Sequence, residues 1–187
     1  MHLTSDLLTP ISGTLTLEQI RWADSPATAV HSTNVHVVVG PATSAVVWQG
    51  NADVALGGLA AARTQSFVRL TFEPDSDQAS SPTKLEPVHT ELWLSIFREA
   101  ELPVAAPRVV RISQLSPTRA SVHVATNSTA ALVTVECSTV VGAFSDGALT
   151  LLAGAAPSLL LFEGRRAFTL EEFTSGLRVR SLRDTYD

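Results

Sequence analysis

The chain has 187 residues, of which 45% are hydrophobic and 17% are charged, and its formal net charge at pH 7 is −5. This length is too short for a (β/α)₈ barrel, which needs about 250 residues, but it suits two domains of about 80–100 residues each. The low share of charged residues excludes a disordered chain, and the lack of a basic stripe excludes nucleic acid as the expected partner.

Residue counts and short motifs exclude several further kinds of site and segment. Cys137 is the only cysteine, so neither an internal disulfide nor a cysteine-based zinc site is expected. No apolar run approaches about 18 residues, which predicts that no segment spans a membrane. Residues 1–6 lack the basic and apolar regions of a signal peptide, and we interpret the start as a cut inside a longer chain. Gly57-Gly58 fits no phosphate-binding fingerprint, and no cofactor is expected.

In the first half, short alternating runs separated by turn residues indicate β-strands. Leu15 and Leu17, for example, share one face of their strand, and Thr14 and Thr16 share the other. The segment 53–63 fits either a strand edge or one helical turn, because its two glycines weaken both. The predicted strands cover residues 13–22, 28–39, 45–48, 66–72 and 91–97, with a polar loop over 74–82.

The second half begins after Pro103 and Pro107, two prolines that favour an extended connector between domains. Thr169 is expected to cap a helical turn over residues 169–173. The remaining pattern is again one of short strands with turns between them. The predicted strands cover residues 108–114, 118–126, 130–137, 149–152, 158–162 and 177–182.

About six strands in each half, with turns every 8–12 residues or so, predict an all-β chain of two tandem immunoglobulin-like antiparallel β-sandwiches. The proline connector places the domains at residues 1–103 and 104–187. A single large jelly roll is the structural alternative, because it gives the same pattern of short strands.

The sequence offers no catalytic or metal site. Acid–base catalysis by paired carboxylates needs two side chains that converge on one bond, and the adjacent Glu171 and Glu172 point in different directions on any regular element. Cys137 lies in an apolar strand with no histidine beside it, which indicates an inert thiol. The histidines have no metal-ligand spacing. They are His2, His31, His36, His89 and His123.

Three residues remain as candidate sites. Trp22, beside a turn, and Tyr186, near the last residue, are candidate platforms on which a sugar ring would stack. Trp48 and Trp93 lie inside apolar strand segments and are interpreted as core. Asn127 begins the sequence Asn-Ser-Thr in a predicted hairpin turn and is a candidate glycosylation site, relevant for a secreted or lysosomal protein of a eukaryote.

Motifs in the second half resemble the C-terminal region of glycoside hydrolase family 2 β-mannosidases. Phe144-Ser145-Asp146, Leu151-Leu152-Ala153-Gly154 and the run Leu177–Tyr186 resemble that region's Phe-Ser-Asp motif, Leu-Leu-x-Gly turn and closing strand. Gly147 stands where the family usually has a polar residue. In the first half, Leu3–Asp6 followed by Gly13-Thr14-Leu15 resembles the opening strand of the preceding domain more weakly.

The resemblance implies a mannosidase Ig/CBM-like domain followed by a C-terminal Ig-fold domain. The parent enzyme would remove terminal β-linked mannose with retention, and its catalytic glutamates would lie outside this chain. The implied partner is the catalytic barrel of the parent, with self-association and carbohydrate as further candidates. Two alternatives stay open at this point: a carbohydrate-binding β-sandwich module, and a protein-binding pair of immunoglobulin-like domains.

Overall fold

The computed structural model describes residues 2–50, 63–75 and 85–186. The chain divides into two compact units, the first made of Met1–Arg21 and Ala29–Ala100, the second of Trp22–Thr28 and Glu101–Asp187. Both units consist mainly of antiparallel strands, so the prediction of an all-β chain of immunoglobulin-like sandwiches is confirmed. Residues 53–62 of the ambiguous segment and 76–82 of the polar loop lie outside the described residues.

The first unit is built around one long central strand. This strand, β2, pairs with β3 on one side and β5 on the other, in a four-stranded sheet of order β3-β2-β5-β6, and β1 pairs with β4. All of these pairings are antiparallel. The strands are β1 His2–Ser5, β2 Ile11–Arg21, β3 Ala29–Val39, β4 Thr43–Val46, β5 Ser66–Pro74 and β6 Val88–Trp93.

Buried and half-buried residues alternate along β2 from Ile11 to Glu18, and both neighbouring strands follow this alternation. Leu15 is 1% exposed and lies opposite Val35 of β3 and Phe72 of β5, so both neighbouring strands contribute to the same core. Thr14 and Thr16, on the other face, are half-buried. Burying a leucine side chain contributes about 1.5–3 kcal/mol, which fixes the register because a slip of one residue would expose the whole apolar row.

The second unit contains two sheets, of order β10-β12-β8-β7 and β11-β9-β13. Their buried residues form one core, in which Val122, Val124 and Phe173 are fully buried. The Phe173 ring lies with its centroid 4.7 Å from that of Phe162. The strands are β7 Arg108–Ser116, β8 Arg119–Ala125, β9 Ala130–Cys137, β10 Gly142–Phe144, β11 Leu149–Leu151, β12 Ser158–Gly164 and β13 Leu177–Arg180.

A short α-helix, α1 (Leu170–Gly176), carries Phe173 into this core. Thr169 is its N-cap, and the Thr169 hydroxyl accepts a hydrogen bond of 3.1 Å from the backbone N–H of Glu172. The predicted cap is therefore confirmed. The helix continues three residues beyond the predicted turn, because partners outside the helix bind its last carbonyl groups.

These partners lie at the end of β9 and in the turn that follows it. The Thr139 hydroxyl donates to the carbonyl oxygen of Glu172 over 2.6 Å, and the backbone N–H of Ser138 donates to that of Gly176 over 3.0 Å. The Cys137 thiol donates to the Phe173 carbonyl over 3.6 Å. This approach is so close that a Cβ on Gly176 would lie 2.7 Å from the Thr139 backbone nitrogen and would overlap the Thr139 hydroxyl.

Residues Trp22–Thr28 extend the second unit on the side of Ala153 and Gly154. The backbone N–H of Ala27 donates to the Ala153 carbonyl over 2.9 Å. Gly154 has a φ of +78°, which favours glycine, and a Cβ there would lie 2.8 Å from the Cβ of Pro26. The glycine of the Leu151–Gly154 motif is thus required both by its backbone angle and by Pro26.

Two predicted strands end earlier than expected. The strand predicted over 91–97 ends at Trp93, and a 3₁₀ turn at Phe97–Glu99 packs the Phe97 ring edge-on against Trp93, with centroids 4.5 Å apart. The strand predicted over 177–182 ends at Arg180, because Ser181 and Asp184 form a capping box that starts a 3₁₀ turn at Leu182–Thr185. The short strand β10 was not predicted.

Replacing Gly176 by alanine tests the contact between α1 and the turn after β9. We expect Gly176→Ala to lower the free energy of unfolding by about 1–3 kcal/mol, since a methyl group would force the helix away from Thr139. The matched control is Gly147→Ala, because nothing lies within 4 Å of a Cβ at Gly147. Urea unfolding of both variants measures the difference, and equal midpoints would contradict the packing argument.

Candidate functional site

Trp22, the first candidate sugar platform, is 1% exposed. Its ring therefore offers no open face to a ligand, and the expectation of an exposed ring at this position is wrong. Neighbouring turn residues favoured the surface, but residues 22–28 pack as part of the second unit. A tryptophan so deeply buried contributes to stability through its large apolar area.

Tyr186, the second candidate platform, is half-buried at the end of the described chain. The guanidinium carbon of Arg183 lies 5.4 Å from the centroid of its ring, within the range of a cation–π contact. This contact occupies one face of the ring. Sugar binding at Tyr186 stays a prediction.

Asn127, the candidate glycosylation residue, lies exposed in the turn between β8 and β9, as predicted. Its side-chain oxygen accepts a hydrogen bond of 2.9 Å from the backbone N–H of Ala106, and its carbonyl accepts one of 3.4 Å from the Ser25 hydroxyl. Thr129, the third residue of the sequon, is 1% exposed, and its hydroxyl accepts from the Ala153 N–H over 3.4 Å. Both side chains thus join separate segments of the second unit, and glycosylation stays a prediction.

The Asn127 carboxamide is expected to stabilise the second unit. Asn127→Ala would leave the Ala106 N–H without this acceptor, and we expect the free energy of unfolding to fall by about 1 kcal/mol. Asn127→Asp keeps an oxygen in the same place and is the matched control, expected to unfold close to the parent protein. Thermal unfolding of the three proteins decides, and equal losses for both variants would show that the acceptor is irrelevant.

The adjacent carboxylates Glu171 and Glu172 do not act together. Glu171 is exposed, whereas the Glu172 carboxylate receives both terminal nitrogens of the Arg166 guanidinium, one of them over 3.2 Å. These hydrogen bonds hold the pKa of Glu172 below its usual range. A carboxylate engaged in this way stabilises the entry to α1 and is a poor general acid.

Ser12, His36 and Asp75 meet at one end of the first unit's main sheet. The Ser12 hydroxyl donates to Oδ2 of Asp75 over 2.5 Å, and Nε2 of His36 lies 3.2 Å from the same oxygen. In a nucleophilic triad the histidine lies between the serine and the aspartate. Here the aspartate lies between them, so the arrangement is not that of a triad, and the cluster joins the end of β5 to β2 and β3.

These hydrogen bonds, the one from Ser12 first and the one from His36 second, hold the pKa of Asp75 below its usual range. The unfolded chain therefore takes up this proton at a higher pH than the folded chain does. The stabilisation is complete above the ordinary aspartate pKa and is lost as the pH falls through the lowered value.

An Asp75→Asn variant is accordingly expected to lose stability less steeply than the parent protein below about pH 4, with parallel curves at neutral pH. Urea midpoints measured across the acidic range test this. The exposed Asp6, changed to asparagine, is the control and should preserve the parent slope. An Asp75→Asn slope equal to that of the parent would contradict the assignment.

The remaining titratable groups form no metal site in the part of the chain that the structure describes, where no three His, Cys, Asp or Glu side chains gather. His31 and His36 lie opposite Gln19 and Thr14 of β2, on opposite faces of the sheet. Within the same residues, none of the helices has the length and apolar character that crossing a membrane requires.

A cavity of about 470 Å³ opens in the second unit. Its lining includes the apolar residues Val140, Phe144 and Phe162 and the charged residues Glu136 and Arg178. Glu136 is the one carboxylate among the described residues that line it. The two-carboxylate mechanism of a retaining glycosidase needs a second carboxylate about 5–5.5 Å away.

Sequence patterns do not predict this cavity. Its lining comes from β9 and the turn after it, β10, β12, the end of α1 and β13, which belong to two sheets and meet only in the folded unit. Each contributing residue looks ordinary in its own strand. The one local sign is the pair of glycines at its edge, Gly142 and Gly176, each beside a strand end.

The fold defines a pair of immunoglobulin-like β-sandwich domains, and comparison with known families specifies which pair. Residues 1–87 match a family described as the mannosidase Ig/CBM-like domain, and residues 104–185 match a mannosidase family described as the Ig-fold domain. The chain therefore belongs to the domain families of the C-terminal region of β-mannosidases, and the resemblance seen in its sequence is confirmed. No curated protein sequence matches the chain significantly.

Among solved structures, the chain is similar to the β-D-mannosidase from Dictyoglomus thermophilum. The TM-score is 0.69 at 14% sequence identity, and the match covers 97% of this chain and 20% of that chain. This chain thus spans about one fifth of the length of that enzyme. At this identity the likeness shows a shared fold.

Proposed function

We propose that the chain is a non-catalytic accessory part of a β-mannosidase that hydrolyses terminal β-linked mannose with retention. The observation that carries the proposal is the pair of mannosidase-domain matches, at residues 1–87 and 104–185. The structural likeness to a β-D-mannosidase of about five times the matched length supports it. The proposed role is to pack on the catalytic barrel of the parent enzyme and to support the rim of its active site.

The chemistry of the described residues agrees with a supporting role. Glu172 is engaged by Arg166, Asp75 is engaged by Ser12 and His36, and the cavity of the second unit is lined by a single described carboxylate. The proposed domains, 1–103 and 104–187, follow the proline connector. They differ from the compact units in the assignment of residues 22–28 and 101–103.

The purified chain is expected to release no nitrophenol from 4-nitrophenyl β-mannoside above the rate in buffer, because two convergent carboxylates are required. The positive control is a complete β-mannosidase assayed at the same molar concentration. Turnover that purifies with the chain through two chromatographic steps would overturn the non-catalytic role.

The parentage has its own test, which is the coding sequence adjoining the first codon of this chain. We expect an open frame that encodes a barrel of about 250 residues or more. It should contain an Asn-Glu dipeptide at a strand end, because in the family that the sequence resembles the acid/base glutamate follows an asparagine. A stop codon immediately upstream would refute the accessory role.

A further inference from the structure

We propose that the outward face of the sheet β10-β12-β8-β7 is the surface on which two copies of this chain associate. The inward residues of this sheet, among them Leu160 and Phe162, belong to the core of the second unit. The residues that alternate with them form the outward face. The inference concerns this chain itself and does not depend on the parent enzyme.

The middle of the outward face is apolar. β12 is one of the two central strands of the sheet, and its outward residues Leu159 and Leu161 are 54% and 36% exposed. Ser121 of β8 lies directly opposite Leu161, and its hydroxyl donates a hydrogen bond of 3.4 Å to the carbonyl of Ser113. An outward face open to water is normally polar. This centre can lose its water at little cost, because its one hydroxyl donor is already bonded.

The charges of the face lie beside this centre in two separate groups. Arg108 and Arg111 of β7 and Arg119 of β8 form the basic group, and Glu163 of β12 is the acidic group. All four are exposed. Within residues 2–50, 63–75 and 85–186, none of them forms an ion pair. An apolar centre with charged residues, mainly arginine, around it is the usual composition of a protein–protein interface.

The pattern of charges is complementary to itself, which favours a second copy as the partner. A twofold axis that runs along the strands, between β12 and β8, would lay β12 of one copy over β8 of the other. Leu161 would then lie over the small Ser121, and Glu163 would lie over Arg119. Each contact occurs twice in such a dimer, because twofold symmetry makes the contacts reciprocal. Large residues over small ones allow two facing surfaces to interdigitate.

The size of the face predicts a weak dimer. Four strands about 4.8 Å apart and a rise of about 3.3 Å for each residue of β8 give a face of roughly 400 Å² on each copy. The two copies together would bury roughly 800 Å², which is below the range of about 1,200–2,000 Å² of stable complexes. We therefore expect a reversible dimer that forms at high micromolar to millimolar concentrations.

Sedimentation equilibrium of the 187-residue chain, from micromolar to millimolar concentrations, tests the association. We expect the average mass to rise with concentration from that of a monomer towards that of a dimer. Leu161→Lys should weaken the dimer by about tenfold or more, because it removes apolar contacts at two places. Val38→Lys is the matched control, since Val38 is an exposed strand residue of the first unit and lies outside this face.

Two charge reversals test the reciprocal contacts. Glu163→Arg alone, or Arg119→Glu alone, brings like charges together in both contacts of the dimer, and each should weaken association by about tenfold. An equimolar mixture of the two variants should associate as the parent chain does, because every contact between copies again joins opposite charges. A contact within one copy gives no such rescue, since each variant carries like charges at both positions.

Three results would overturn the proposal. The first is a parent chain that stays monomeric at millimolar concentration, which would assign the face to a partner other than a second copy. The second is equal weakening by Val38→Lys and Leu161→Lys. The third is a mixture of Glu163→Arg and Arg119→Glu that associates no more than either variant alone. Circular dichroism of each variant separates a loss of association from unfolding.

Discussion

The hydrogen bonds between the end of α1 and the turn after β9 are the constraint on which the second unit depends. Thr139 and Ser138 bind the carbonyl groups that a helix of this length leaves free at its end. Since β13 begins at the residue after Gly176, these hydrogen bonds also place β13 beside β9, with which it pairs. It also directs Phe173 into the core and forms one wall of the cavity. This one attachment therefore fixes the position of α1, the place of β13 beside β9 and one wall of the cavity.

In the first unit the arrangement of the strands depends on the central strand β2, and not on hydrogen bonds at the end of a helix. β2 pairs along nearly its whole length with β3 and β5, so its alternation sets the inner and outer faces of all three strands. On the outer face the side chains are polar, as an antiparallel sheet permits when one side is open to water. Arg69 and Glu91 form an ion pair of 2.9 Å across β5 and β6 there. Their side chains are only 16% and 17% exposed, so the pair also fixes the register of those strands.

Local patterns predicted what depends on neighbouring residues. The alternation of β9 predicted its observed bounds, and Thr169 was predicted as a cap because it is a threonine at the start of a helical turn. The burial of Trp22 was not predictable in this way, because it depends on segments far along the chain. β10 consists of Gly142, Ala143 and Phe144, and because glycine and alanine are uncommon in strands it carries no strand signal. The cavity combines four strands, and sequence periodicity carries no information about which strand ends will meet.

The same distinction applies to the residues proposed as sites. Asn127 was predicted to lie in a turn from its neighbouring residues alone, and it does lie in a turn. Its hydrogen bond to Ala106 and the burial of Thr129 depend on segments far from the turn, and they show that both side chains also contribute to the packing of the second unit. The family resemblance identified the domains. The structure shows what the motif residues do: Gly154 adopts the left-handed backbone conformation of its turn, and Ser181 and Asp184 form the capping box that ends the final strand.

The inclusion of Trp22–Thr28 in the second unit has a consequence for biosynthesis. On the ribosome this segment emerges long before Glu101–Asp187, and its partners Ala153 and Gly154 are made far later. Such widely separated contacts slow folding, because the chain between them must first be ordered. The second unit is therefore complete only when most of the chain has been synthesised. During that interval Trp22 remains without its final packing, and the nascent chain offers a bulky apolar ring to chaperones.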